Sequence, residues 1–317
     1  MFKLNVRSSA KLSALTLALT LAGCASGPHL AEKSLAQSAF FAGQNYADEL
    51  NESGASNQWW QSYQSPQLDA LVKQGLESNR NLQAAQQRLQ AAMQQLGYEE
   101  AQHLPQGGLQ VESSRESAAN SIDASANAGA NFSWQFDLFG RIAALIKAAE
   151  ANSFQAQEQK TQLAAEVVSG VTRSFFEWQG NQLKLQIVNQ QIAALTESIS
   201  VLQARVDEGF ASKLDINRTY AQLNQQKTLL PQIETALYRN QATLAVLLGQ
   251  TPSQVQLSFE TDLLNNNLIQ PVTLNQPEKA VSLRPEISIA RYKLLQQSAL
   301  ADAADAALYP DISISGF

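Results

Sequence analysis

The sequence predicts a mainly α-helical chain that carries one β-hairpin, with a long antiparallel coiled-coil helical hairpin as its largest element. Three observations predict it. Leu185, Val188, Ile192, Leu195, Ile199, Leu202 and Val206 follow one another at steps of three and four, and Ile216, Leu223, Leu230, Leu237 and Leu244 recur every seven residues. Narrow stripes of this spacing belong to helices that pack lengthwise on one another. No proline, and only Gly170 and Gly180, interrupts residues 141–206, so at about 1.5 Å per residue the outgoing arm alone is roughly 100 Å long. Between residues 105 and 140 the period falls to two: Phe132, Trp134, Phe136 and Leu138 alternate with Asn131, Ser133, Gln135 and Asp137, as side chains do on a strand with one apolar face.

Residues 1–23 have the form of a signal peptide. Lys3, Arg7 and Lys11 make a positive end, and residues 12–21 make an apolar run that falls short of the roughly 20 residues a spanning helix needs. The run closes on Leu21-Ala22-Gly23-Cys24, which resembles the bacterial lipobox. That resemblance implies that Cys24, the only cysteine, is lipidated, and Ala25 and Ser26 after it imply an outer-membrane address. A free thiol following an apolar run is the plainer reading.

Residues 24–58 are rich in Ser, Ala and Asn without periodicity and read as a tail. Residues 59–104 hold two helices. Ser65 and Pro66 give an N-cap and a first-turn proline ahead of Leu68, Leu71, Val72 and Leu76. Asn79-Arg80-Asn81 breaks the pattern, a second helix runs over 82–102, and Pro105 ends it. In the hairpin of residues 105–140, Leu109 and Val111 form the first apolar alternation, and a polar stretch over 113–125 separates them from Phe132. In a soluble protein the apolar face packs on a core; in a lipidated envelope protein it meets lipid while the polar face lines a lumen. A single hairpin in lipid leaves its edges unsatisfied, so the second reading requires closure by further copies.

Residues 141–248 form the coiled-coil hairpin. At its turn Gly209 is placed as a C-terminal cap, Ser212 as the N-cap of the return helix and Asp215 at the third helical position. Residues 249–276 form an irregular belt, and residues 277–317 a last helix, broken at Arg284-Pro285, and a closing alternation. Sliding the chain by 205 positions lays Leu82 on Ile287, Ala85 on Ala290, Leu89 on Leu294, Ala101 on Ala306 and Pro105 on Pro310. A helix, a proline and a candidate strand recur in that order, as a duplicated unit would leave them.

Composition narrows the function. A net charge of −6 and a mean hydropathy of −0.21 argue against nucleic-acid binding and against a polytopic helical membrane protein. His29 and His103 are the only histidines, and neither accompanies a phosphate loop, a cysteine cluster or a nucleophile elbow, so no enzyme, cofactor or metal site is expected. Met1 and Met93 offer no soft-ligand cluster.

The chain resembles the TolC/OprM-like outer membrane efflux protein family, in its lipoprotein branch. The resemblance rests on the lipobox at Cys24, residues 60–71 and 79–88, the run Trp134-Gln135-Phe136-Asp137-Leu138-Phe139-Gly140-Arg141, residues 209–215, Leu229-Leu230-Pro231, residues 248–252 and Arg284-Pro285-Glu286-Ile287. At the last of these, Glu286 stands where the family has Asp.

The resemblance implies the first repeat of a two-repeat fold: transmembrane β-barrel strands joined to a helical hairpin that forms part of an α-barrel. It implies a homotrimer that serves as the outer-membrane exit duct for a periplasmic adaptor and an inner-membrane pump. Phe132, Trp134, Phe136 and Leu138 then face outer-membrane lipid, and Arg205, Gly209, Ser212 and Asp215 form the tip that docks the adaptor. Pro231 within the return helix implies a local kink. The family's second strand hairpin and second coiled coil are absent from these 317 residues, which as given are expected not to conduct. The alternative is a lipid-anchored periplasmic coiled-coil tether or scaffold without channel activity.

Overall fold

The computed structural model describes residues 58–118, 121–261 and 283–317, and side chains throughout these except at 116–118 and 121–123. The signal peptide, Cys24, most of the tail, and residues 262–282 of the belt and last helix lie outside the described residues. Internal contacts divide the described chain into two units, Glu99–Ala148 with Gln297–Phe317, and residues 58–98 with Ala149–Gln296.

Five helices are described: α1 (Pro66–Ser78), α2 (Arg80–Gln102), α3 (Arg141–Asp207), α4 (Lys213–Leu247) and α5 (Pro285–Ala306). Short 3₁₀ turns occupy Trp59–Tyr63 and Pro252–Gln254. Ser65 caps α1, its hydroxyl accepting the Leu68 N–H at 3.1 Å with Pro66 in the first turn. Asn79 makes the break before α2 productive: its Oδ1 accepts the Leu82 N–H at 3.0 Å while its Nδ2 donates to the Leu247 carbonyl at 2.9 Å. The second helix thus begins at Arg80 rather than Leu82.

The core of the helical unit gathers where α1 meets α3 and α4. Leu68, Leu71 and Val72 pack with Val167, Val168, Val171 and Phe175, and with Leu244, Ala245, Leu248, Trp60 and Val255. Beyond it α3 and α4 bury little but their stripes. On α3, Val188 and Ile199 are buried and Leu185, Ile192, Leu195, Leu202 and Val206 half-buried, whereas Ile187 and Val201, off the stripe, are exposed. On α4, Ile216, Leu223, Leu237 and Leu244 are buried and Leu230 half-buried. Between these layers stand Thr219, Gln226 and Asn240, half-buried or buried and polar. The Gln226 Oε1 and Asn240 Nδ2 atoms are buried without a hydrogen-bond partner. α4 runs unbroken through Pro231, although proline has no N–H to give the preceding turn.

The other unit is built on a three-stranded antiparallel sheet in the order β1-β2-β3, with β1 at Gln106–Ala118, β2 at Ser121–Phe136 and β3 at Ile312–Gly316. The strands continue through the polar stretch and on to Phe132, where Ala124, Ala126, Ala128 and Ala130 alternate with Ser125, Asn127, Gly129 and Asn131. β2 stops at Phe136, short of Leu138. The reason is Asp137, whose carboxylate accepts the N–H groups of Ile142 at 3.1 Å and Ala143 at 2.8 Å and so caps α3. Gly140 turns the chain between them at φ +77, and Leu138 is left exposed in that turn. Among the described residues no helix is long and apolar enough to cross a membrane.

Candidate functional site: the two-faced sheet and the helical tip

Register decides what the sheet presents. β1 pairs with β2 as Gly107↔Phe132, Leu109↔Ala130, Val111↔Ala128 and Arg115↔Ala124, and β2 pairs with β3 as Trp134↔Ile314 and Phe136↔Ile312. Directly opposed residues share a face. One face therefore collects Leu109, Val111, the four alanines, Phe132, Trp134, Phe136, Ile312 and Ile314. The other collects Gln106, Gln110, Glu112, Ser114, Ser125, Asn127, Asn131, Ser133, Gln135, Ser313 and Ser315. Leu109 is 88% and Val111 81% exposed, so at these positions the apolar face has no cover among the described residues. On the polar face the Ser114 and Ser125 hydroxyls meet at 2.7 Å.

The ends of the strands nearest the helix junctions are aromatic. Trp134 and Phe136 lie with ring centres 4.3 Å apart, and the Trp134 indole N–H donates to the His103 carbonyl at 3.3 Å. Phe139 stacks on Tyr309 at 4.7 Å. Arg141 Nε stands 3.4 Å from Asp311 Oδ1, an ion pair rather than a hydrogen bond. Phe132, Trp134 and Phe136 thus share one face, while Leu138 does not continue it.

The tip is a separate site in the helical unit. α3 ends in a Schellman arrangement: Gly209 adopts φ +79, the Phe210 N–H donates to the Arg205 carbonyl at 2.7 Å, and the Gly209 N–H to Val206 at 3.0 Å. Ser212 opens α4 by accepting the Leu214 N–H at 3.0 Å, with Asp215 in the first turn, where a carboxylate suits the helix dipole. Arg205 lies in the last turn of α3, the matching position for a cation. The structure therefore brings Arg205, Gly209, Ser212 and Asp215 together on one short connection. Phe210 lies among them, 83% exposed.

A polar clamp was not legible in the sequence. Gln179 is fully buried; its Nε2 donates to the Ser258 carbonyl at 2.8 Å and its Oε1 accepts the Glu260 N–H at 3.0 Å. Gln241 donates to the carbonyls of Pro252 at 3.0 Å and Val255 at 3.1 Å. The Ser65 hydroxyl reaches Glu260 Oε2 at 2.9 Å. Side chains of α3 and α4 thus hold the backbone of residues 252–260 by its peptide groups. Among the described residues no His, Cys, Asp or Glu cluster of metal-binding form occurs.

The profile of the outer membrane efflux protein family matches residues 71–250. The probable efflux pump outer membrane protein TtgC of Pseudomonas putida is 23% identical over 271 residues, 82% of this chain and 55% of TtgC. The cation efflux system protein CusC of Escherichia coli is 25% identical over 323 residues, 97% of this chain and 67% of CusC. Of solved structures, the outer-membrane channel OprN superposes with a TM-score of 0.74 at 26% identity, over 85% of this chain and 62% of OprN. CusC superposes with a TM-score of 0.72 at 22% identity, over 83% of this chain and 62% of that structure, a likeness of fold. The chain thus spans little more than half the length of TtgC.

Proposed function

Because the chain belongs to the outer membrane efflux protein family, we propose that it is a subunit of an outer-membrane exit duct in a tripartite efflux system. It receives solutes from a periplasmic adaptor and an inner-membrane pump and passes them outward as a homotrimer, making and breaking no bond. The observation that carries this reading is the register of the sheet, which separates Leu109, Val111, Ala130, Phe132, Trp134 and Phe136 from Gln110, Asn127, Asn131, Ser133 and Gln135. Such a sheet suits a barrel wall, apolar toward lipid and polar toward a lumen. Three strands leave open edges, so the wall is completed by strands from other copies or other segments.

The finer parts of the reading follow. Cys24 carries the acyl chains that anchor the protein to the outer membrane, and the tip with Arg205, Gly209, Ser212 and Asp215 docks the adaptor. α2 followed by β1 and α5 followed by β3 are corresponding parts of two repeats, a reading supported by their common order of helix, proline and strand. A fatty-acid label that marks the wild type and spares Cys24→Ser supports the anchor; equal labelling removes it.

The duct itself is tested by placing arginine on neighbouring positions of β2 in the full gene product. Ala130→Arg, mid-way along the apolar row, is expected to cost about 2–4 kcal/mol and to abolish outer-membrane assembly. Asn131→Arg, on the polar row, assembles and restores drug resistance to a strain lacking its own exit ducts but holding the cognate pump and adaptor. Equal assembly of both variants would favour a lipid-anchored periplasmic tether.

A further inference from the structure

We infer that Arg115 is a contact for an anionic lipid headgroup, its guanidinium meeting a phosphate at the membrane surface farther from the helices. The inference rests on the proposed reading of the sheet as a barrel wall.

Arg115 is the only cation in the three strands. Register sets it opposite Ala124, on the face of Leu109, Val111, Ala126, Ala128, Ala130 and Phe132. It is exposed, and among the described residues it makes no ion pair. The carboxylates of these strands, Glu112 and Glu116 on β1 and Asp123 on β2, take register positions of the opposite, polar face. A cation on a lipid-facing row is costly at the bilayer centre and is accommodated at its edge, so its height on the row identifies its surroundings.

That height follows from the register. Trp134, in the aromatic cluster at the helix end, and Ala124, opposite Arg115, are ten residues apart on β2. The interval is about 34 Å along a strand. With the tilt of about 40° usual in membrane barrels it becomes about 26 Å of height, against an apolar band of about 25 Å. Aromatic rings therefore mark one interface, and Arg115 stands one band-height away, at the level of the other headgroups. There the guanidinium fork matches two phosphate oxygens at once, a geometry that lysine, a point charge, does not reproduce.

The test uses the full chain reconstituted in vesicles of phosphatidylcholine with phosphatidylglycerol or lipid A added, and counts anionic lipids retained on release by native mass spectrometry. Wild type is expected to retain about 5-fold more than Arg115→Ala, with Arg115→Lys between them. Equal retention by wild type and Arg115→Ala overturns the inference, as does displacement of the lipid by inorganic phosphate, which would mark a site for the free anion. A parallel measurement separates this from the underlying reading. Brominated acyl chains quench the part of the fluorescence that Trp134→Phe removes if the row faces lipid; absence of that quenching sinks the barrel-wall reading itself.

Discussion

Replacing Gln179 by leucine removes its part of the clamp, the bonds to Ser258 and Glu260, while keeping most of the side-chain volume. Two main-chain groups lose their partner, but they are not equivalent. The Ser258 carbonyl belongs to an exposed residue, and the Gln67 amide, oriented with its nitrogen toward it, also donates to it at 3.0 Å, so that group stays satisfied. The Glu260 N–H sits in a half-buried residue and its hydrogen bond is to Gln179 Oε1. Stranding one such donor costs about 2 kcal/mol, or roughly a 30-fold rise in the population of the opened segment. Amide hydrogen exchange of the full chain should show that acceleration in peptides covering residues 252–261, with peptides covering the tip as an unchanged reference. Gln179→Glu keeps an acceptor for the Glu260 N–H but turns a carboxylate oxygen toward the Ser258 carbonyl, and should fall between wild type and leucine. Unaltered exchange over 252–261 in Gln179→Leu would refute the clamp.

Asn240→Leu removes a buried amide nitrogen without a partner from the seam of α4; it is expected to raise the melting temperature of the hairpin, by about 1 kcal/mol of stability, while loosening its register. Double electron–electron resonance between labels on the two arms reads the register, and a lower melting temperature would count against a strained polar layer. Gly249 has φ +66, and a Cβ there would collide with the Ser78 carbonyl, so Gly249→Ala should cost more than about 1 kcal/mol in thermal unfolding. A neutral result would mean the α1–α4 approach yields easily. Charge reversal at Arg205 or Asp215 should reduce crosslinking to the adaptor without reducing trimer yield. Loss of trimer in parallel would leave those residues with a capping role alone.

The seam of α3 was legible because a narrow interface between two helices accepts apolar residues at only two positions in seven, and Val188 and Ile199 occupy them. The alternate layers of α4 were not, since Thr219, Gln226 and Asn240 look like surface residues in a chain rich in such types. Strand length shows weakly in the sequence for want of contrast: alanine against serine, asparagine and glycine over residues 124–131 carries the same period as Phe132–Phe136 at lower amplitude. At the other end the pattern outruns the strand. The apolar period runs on to Leu138, but Asp137 is committed to the first N–H groups of α3. The clamp was invisible because Gln179 meets its partner 79 residues away, and one glutamine among many gives no local signal. The tip was legible at the level of caps, since Gly209 and Ser212 are read from residue type alone.

If the two faces of the sheet meet two solvents, accessibility alternates from one residue of β2 to the next. Single spin labels placed in turn at Ala130, Asn131, Phe132 and Ser133 of the protein in outer membranes would be scored for relaxation by oxygen, which concentrates in lipid, and by a water-soluble nickel chelate. Alternation with period two is expected: oxygen relaxes labels at Ala130 and Phe132, and the chelate relaxes those at Asn131 and Ser133. The same ratio of the two agents at all four positions would contradict it.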